Sequence, residues 1–238
     1  MTIEVLYPEL CNFYGEQGNA RYLRACRPEA RMIWTEYRSV PALVREKVDL
    51  LYLGSMTERY QALAMDRLRP HRDALRQRIE DGMVVLATGN SLELFGKGIR
   101  EDDRFFPALD LFPYSSWRDM ENRHNSMFLG EFEGIKMVGY KSQFSASEPW
   151  PEQPFCTVTG GFGTDCVGHL EGFRYKNFFG TYLLGPLLVL NPLFTRYLLE
   201  LLNSPGPLAF EKEAMEAYRY RLAGLEMPGV HFLLGEHG

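Results

Sequence analysis

The chain has 238 residues, 45% of them hydrophobic, with 26 basic and 31 acidic side chains and a formal net charge of −5. That length can bury a sizeable core, and an acidic balance without a strong basic cluster argues against nucleic acid or an anionic membrane as partner. The four cysteines, Cys11, Cys26, Cys156 and Cys166, form no Cys-x-x-Cys pair, so no metal site is expected and reduced thiols in a cytoplasmic protein are the simplest case.

The opening MTIEVLYPEL has no basic stretch and no long apolar run, so it does not read as a signal peptide. Residues 3–7 form a short apolar strand ending at Pro8. Residues 19–27 have helical spacing, with Tyr22, Leu23 and Cys26 on one side. A second strand is expected at 32–34. Residues 49–54 are apolar on both faces, the pattern of a buried parallel strand. Tyr60, Leu63, Ala64 and Leu68 mark a helix, Pro70 interrupts it, and a second helix carries Leu75 and Ile79. Arg67, Arg69, Arg72, Arg76 and Arg78 alternate with acidic residues here, which reads as a solvated face.

Next comes VVLATGNSLELFG, from Val84 to Gly96. A buried strand at 83–87 meets a tight turn at 88–90, and a short helix is expected from Ser91 as N-cap. Strand, sharp turn and helix are how an α/β enzyme presents a nucleophile at the carboxyl end of its sheet. The apex residue is Gly89, which has no side chain to attack with. Alternating strands and helices predict a three-layer α/β fold with a mostly parallel sheet.

Past Ile99 the texture changes. Residues 126–130, 134–140 and 156–159 read as added β-structure joined by turns. The Gly160-Gly161-Phe162-Gly163 turn opens no helix, so a need for positive φ explains it better than a phosphate cradle. A strand is expected within 178–190 and a helix at 192–203. Phe210, Ala214, Tyr218 and Leu222 mark a last amphipathic helix stopping at Gly224. The apolar run at 182–190 is broken by Gly185 and Pro186 and is too short to span a bilayer. With no linker or repeat in view, one domain over 1–238 is expected.

LYPEL at 6–10, NFYGEQGN at 12–19, residues 87–96 and GTYLLGPLL at 180–188 with Asn191-Pro192 together resemble segments of the cobyric-acid-synthase-like class I glutamine amidotransferases, which share a flavodoxin-like sheet. The likeness is strongest to the branch of the lipid II isoglutaminyl synthase amidotransferase subunits. LYPEL at 6–10 and NFYGEQGN at 12–19 resemble a YP-x-L and YGD-x-GN opening. The Leu53-Gly54-Ser55 loop and Gln61 fall where that family has a Gly-rich loop ending in Gln. Residues 87–96 fall on its A-x-C-G-G-x-Q-x-L-G turn. GTYLLGPLL at 180–188, followed by Asn191-Pro192, resembles GTY-x-HGP-x-L with its trailing NP. The resemblance covers most of 1–203, leaving 204–238 as a helix and tail.

It implies glutamine hydrolysis through a cysteine thioester, with a histidine base and a backbone oxyanion hole. The residues depart from that at several points. Gly89 stands at the cysteine and Leu184 at the histidine; Asn90 and Ser91 replace two glycines and Glu93 replaces Gln. Losing nucleophile and base together removes the covalent route. Glu16, Asn19, Gly54, Ser55, Asn90, Ser91, Glu93 and Tyr182 are the candidate remnant pocket. Cys166 with His169 and Glu171, or Cys11 beside the YGEQGN loop, are candidate replacement nucleophiles; a buried, inert thiol is the ordinary alternative. Glu16 and Glu93 could pair for acid/base work, although solvated or capping carboxylates are commoner. His71 and His124 carry no motif.

The expectation is an amidotransferase-like protein without glutaminase chemistry, needing no cofactor. It would bind a Mur-ligase-like or other ATP-dependent ligase subunit, or a small amino-acid-like ligand. An active enzyme using relocated residues in the same cleft and a structural homodimer are the alternatives.

Overall fold

A computed structural model describes residues 1–150 and 153–234. The first half builds β1 (Thr2–Leu6), α1 (Gln17–Cys26), β2 (Arg31–Thr35), β3 (Leu50–Leu53), α2 (Glu58–Leu68), α3 (Arg72–Glu80) and β4 (Val84–Thr88). The second half adds β5 (Gly98–Glu101), β6 (Arg104–Pro107), β7 (Ser116–Arg118), β8 (His124–Phe132), β9 (Ile135–Gln143) and β10 (Ser145–Ser147). There follow β11 (Cys156–Gly160), β12 (Leu170–Glu171), β13 (Phe173–Tyr175), β14 (Phe178–Thr181), α4 (Leu187–Leu190), α5 (Pro192–Leu201) and α6 (Glu211–Leu225). Residues 235–238 of the expected tail lie outside the described residues.

The central sheet has the order β13-β14-β4-β3-β1-β2, parallel throughout except for the β13/β14 pair. Side chains alternate between its faces, and both faces are covered. Leu51, Leu53, Val85 and Ala87 pack with Ala64, Met65 and Leu68 of α2 and Leu75 and Ile79 of α3. Leu50, Tyr52, Val84 and Leu86 pack the other way, with Ala20 and Leu23 of α1 and Phe194 and Leu198 of α5. This is why β3 and β4 read as unbroken apolar runs. The fold is a three-layer α/β architecture with a mostly parallel sheet. The added β-structure forms two four-stranded sheets, β10-β7-β5-β6 and β12-β11-β8-β9. Phe128, Phe132 and Met137 of the latter, with Phe155 just ahead of β11, join the core on the α1/α5 side.

Three local expectations need correction. The segment after β4 is a 3₁₀ turn, Gly89–Phe95, flanked by Thr88, and Ser91 does not cap it. The Ser91 hydroxyl instead donates to the carbonyls of Leu53 (2.9 Å) and Thr88 (2.8 Å). Leu92, Leu94 and Phe95 are all buried, so the segment is packed on every side. Second, α6 does not stop at Gly224 but runs to Leu225, and Phe210 precedes it in a left-handed conformation. The strand expected within 178–190 is β14, and the separate turn α4 follows it. Third, the arginine-rich face does more than meet solvent. Arg72 and Arg76 donate to the carbonyls of Leu109 (2.6 Å) and Asp110 (2.7 Å), and Arg78 donates to that of Leu43 (2.8 Å). The guanidiniums thereby tie down backbone that no strand satisfies. At the glycine-rich turn, Gly161 has φ +94° and an added Cβ would lie 2.5 Å from the Met127 carbonyl, so this position requires glycine.

Candidate functional site

Loops following β1, β3, β4 and β14 meet at the carboxyl end of the central sheet around a cleft of about 200 Å³. This is where open α/β sheets place ligands. Ser55, Gly89, Asn90, Glu93, Tyr182 and Leu184 line it, with Tyr14, Glu58, Arg123 and Gln143 among the other walls.

Gly89 sits at the apex with φ +60°, and its N–H donates to the Leu183 carbonyl (3.3 Å). A Cβ added there would overlap the Ser55 side chain and lie 3.1 Å from Leu184 Cδ2. Leu184 is therefore packed against the apex. Asn90 clamps the neighbouring loop from both sides: its Oδ1 accepts from the Met56 N–H (3.0 Å) and its Nδ2 donates to the Met56 carbonyl (2.8 Å). One backbone donor beside the apex is thus spent on a side chain.

Glu16, Asn19, Gly54 and Ser91 do not line the cleft; they form the wall behind it. The Glu16 carboxylate is fully buried. It accepts from the Thr88 hydroxyl (2.7 Å), Asn19 Nδ2 (3.1 Å), the Tyr52 hydroxyl and the Gly185 N–H (2.9 Å). One carboxylate thus ties the β1 loop to the end of β4 and to the loop carrying Leu184. Burial pushes its pKa up, opposed by the hydrogen bonds from Thr88 and Tyr52. Gly54 leaves room for it, since a Cβ there would come 2.8 Å from Glu16 Cβ.

Glu93 belongs to a separate network. It accepts from Gln61 (2.9 Å), Arg118 (3.2 Å) and the Tyr182 hydroxyl (3.2 Å), while Arg118 also meets Glu101 (3.0 Å). Burial raises its pKa, opposed first by the Arg118 charge. Glu16 and Glu93 share no hydrogen bond, and both are fully buried. The expectation of solvated or capping carboxylates is corrected accordingly: each side chain points inward to a ring of donors.

The candidate replacement nucleophiles stand outside the cleft lining. Cys11 is buried with its Sγ 3.9 Å from Met56 Sδ, and burial, then the Glu16 charge, pushes its thiol far up. Cys166 lies in a turn with φ +67°, and burial pushes its thiol up to about 11. His169 is exposed. Glu171 is buried against Lys141 (2.6 Å) and accepts from the Thr181 hydroxyl and the Tyr182 N–H. Among the described residues no hydrogen bond joins Cys166 to His169. Reactive cysteines need the opposite environment, one that lowers the thiol pKa. Among the described residues no group of three or more His, Cys, Asp or Glu is arranged to hold a metal ion.

Residues 2–191 match the family model of the CobB/CobQ-like glutamine amidotransferase domain. The chain belongs to this family. GatD of Staphylococcus aureus, the glutamine-hydrolysing lipid II isoglutaminyl synthase subunit, is 27% identical over 223 residues, spanning 91% of this chain and 90% of that protein. The Streptococcus pneumoniae GatD subunit is 24% identical over 201 residues, spanning 80% and 76% respectively. Two solved glutamine amidotransferases share the fold. One has a TM-score of 0.59 at 15% identity, covering 84% of this chain and 98% of its own. The other, from Thermotoga maritima, has a TM-score of 0.54 at 11% identity, covering 94% and 97%.

Sequence reasoning missed Arg118, Arg123 and Gln143. Arg118 reaches Glu93 across 25 positions and Gln61 across 57. No local pattern announces such pairs. Gln143 ends a strand whose alternation reads as sheet only.

Proposed function

We propose that this member of the family is non-catalytic and works through its cleft and its surface as a binding subunit beside an ATP-dependent amide ligase. The observation that carries the reading is the packing at the apex. Gly89 offers no nucleophile, and the space a thiol-bearing Cβ would take is filled by Ser55. Leu184, where the family resemblance puts the base, offers only an alkyl group. Asn90 engages the Met56 N–H that an oxyanion would compete for. A covalent route needs nucleophile, base and oxyanion donors as one unit, so their joint loss leaves little for efficiency to decline from.

Kinship to the GatD subunits supports the ligase partnership and a place in lipid II amidation. No helix among the described residues is long and apolar enough to cross a membrane, and the cysteine-poor sequence supports a cytoplasmic setting. The test is ammonia release from isotope-labelled glutamine, with and without a Mur-ligase-like partner and ATP. The expected result is complex formation with no turnover above background. Turnover abolished by Cys11→Ala or Cys166→Ala would overturn the reading.

A further inference from the structure

α1, α4 and α6 enclose a groove of about 480 Å³ whose lining shares no residue with the cleft. Tyr22, Val189, Leu190, Ala214 and Tyr218 make much of that lining apolar. The α6 side also carries Phe210, which is 73% exposed, and the charged side chains of Glu213 and Arg221. Other acids of this region are paired: Glu211 with Arg196 (2.6 Å) and Glu226 with Lys136. Glu213 and Arg221 are exposed, and among the described residues neither meets an opposite charge. An exposed apolar groove rimmed by charge is the form an interaction surface takes.

The order of residues along α6 selects the occupant. Glu213, Ala217, Arg221 and Gly224 recur at spacings of four and three, so they share one stripe of the helix. The stripe is balanced about Ala217. Glu213 and Arg221 each stand four residues from it; Gly224 stands seven after it, and Phe210, at the head of the helix, seven before. Laid antiparallel on a copy of itself about a two-fold axis at Ala217, α6 sets each Glu213 opposite an Arg221 and each Phe210 opposite a Gly224. A Cβ added to Gly224 would meet nothing within 4 Å, so an aromatic ring has room above it. Ala217 is small and exposed, which lets two helix axes approach to about 8–10 Å. An isologous contact demands such self-complementarity, because every residue must face its counterpart twice. A small ligand or an unrelated protein makes no such demand on the order of one helix.

We propose that the groove and the outer stripe of α6 form a two-fold homodimer interface, in which α6 of each copy covers the groove of the other. The interface draws on no cleft residue, so it stands or falls apart from the function of the cleft. The test is sedimentation of the full chain at concentrations up to about 100 μM, which reaches weak interfaces. A species of twice the chain mass of 27.5 kDa is expected. Glu213→Arg and Arg221→Glu each turn two facing ion pairs into like-charge contacts, and each should weaken the dimer at least about tenfold. The combined Glu213→Arg/Arg221→Glu variant exchanges the charges and should dimerise again.

Cross-linking tests the register. Ala217→Cys puts two thiols beside the axis, within the separation a disulfide spans, and should join copy to copy under mild oxidation. Ala223→Cys, exposed but off the stripe, should stay near the background of the parent chain. All four positions are exposed, and a melt matching the parent's shows that a monomeric variant is folded. A chain that stays monomeric at about 100 μM would overturn the proposal and leave the groove to a different partner. So would a dimer indifferent to both charge reversals, a combined variant that stays monomeric, or cross-linking no faster at 217 than at 223.

Discussion

Gly89 and Ser55 approach so closely that a Cβ on Gly89 would overlap the Ser55 side chain, while Leu184 closes the remaining side at 3.1 Å. Gly89 also holds φ +60°, where an L side chain is strained. The apex of the turn is therefore shaped around the absence of a side chain.

Restoring the two missing groups should not restore chemistry. Gly89→Cys with Leu184→His is expected to stay near background for glutamine, because Ser55 occupies the space of the new Cβ and Asn90 holds the Met56 N–H. The single change Gly89→Ala should cost about 1–3 kcal/mol from strain and overpacking. Adding Ser55→Gly should recover part of it, read as the denaturation midpoint. A robust glutaminase from the double mutant alone would show that the loop is still competent.

Cys166 should behave as an inert thiol. With its pKa pushed up to about 11, its alkylation at pH 8 should run roughly a hundredfold slower than that of an unperturbed cysteine. The rate should climb with pH well past the ordinary thiol range. Fast labelling at neutral pH would reopen the case for a relocated nucleophile.

Glu16 should titrate above the ordinary glutamate value of about 4.3, because burial raises its pKa more than its donors lower it. The sign follows. A carboxyl whose folded pKa lies above its unfolded one contributes stability that is full below the unfolded pKa and is lost as pH rises through the folded one. The carboxyl carbon resonance of Glu16 reports the midpoint, and a value at or below the ordinary one would refute this. Glu16→Ala should cost about 2–4 kcal/mol, since it strands donors from Thr88, Asn19 and Gly185.

Arg118→Ala should be among the more damaging single changes, costing about 3–5 kcal/mol by leaving Glu93 buried without its cation. The double variant Arg118→Met with Glu93→Met should regain much of the loss. A thermal melt of these two variants beside the parent protein settles it, and a neutral Arg118→Ala would mean that the ion pair is not formed in solution.

Much of the central fold is legible in the chain itself. The runs at 49–54 and 83–87 are apolar on both faces because helices cover both sides of the sheet, and that pattern is written locally. The apex glycine and the leucine of GTYLLGPLL are likewise plain in the letters. What local pattern could not supply is who touches whom. Ser91 is an excellent N-cap by type, yet the carbonyl of Leu53, 38 positions away, claims its hydroxyl. Glu16 and Glu93 look like surface carboxylates by type, yet each is the centre of a buried ring of donors gathered from distant segments. Hydrophobic period is a property of neighbours in sequence, so the chain alone determined the layers. Polar satisfaction and packing at a turn are properties of neighbours in space. Only the tertiary structure decided that Ser55 fills the void at Gly89 and that Asn90 holds the Met56 backbone.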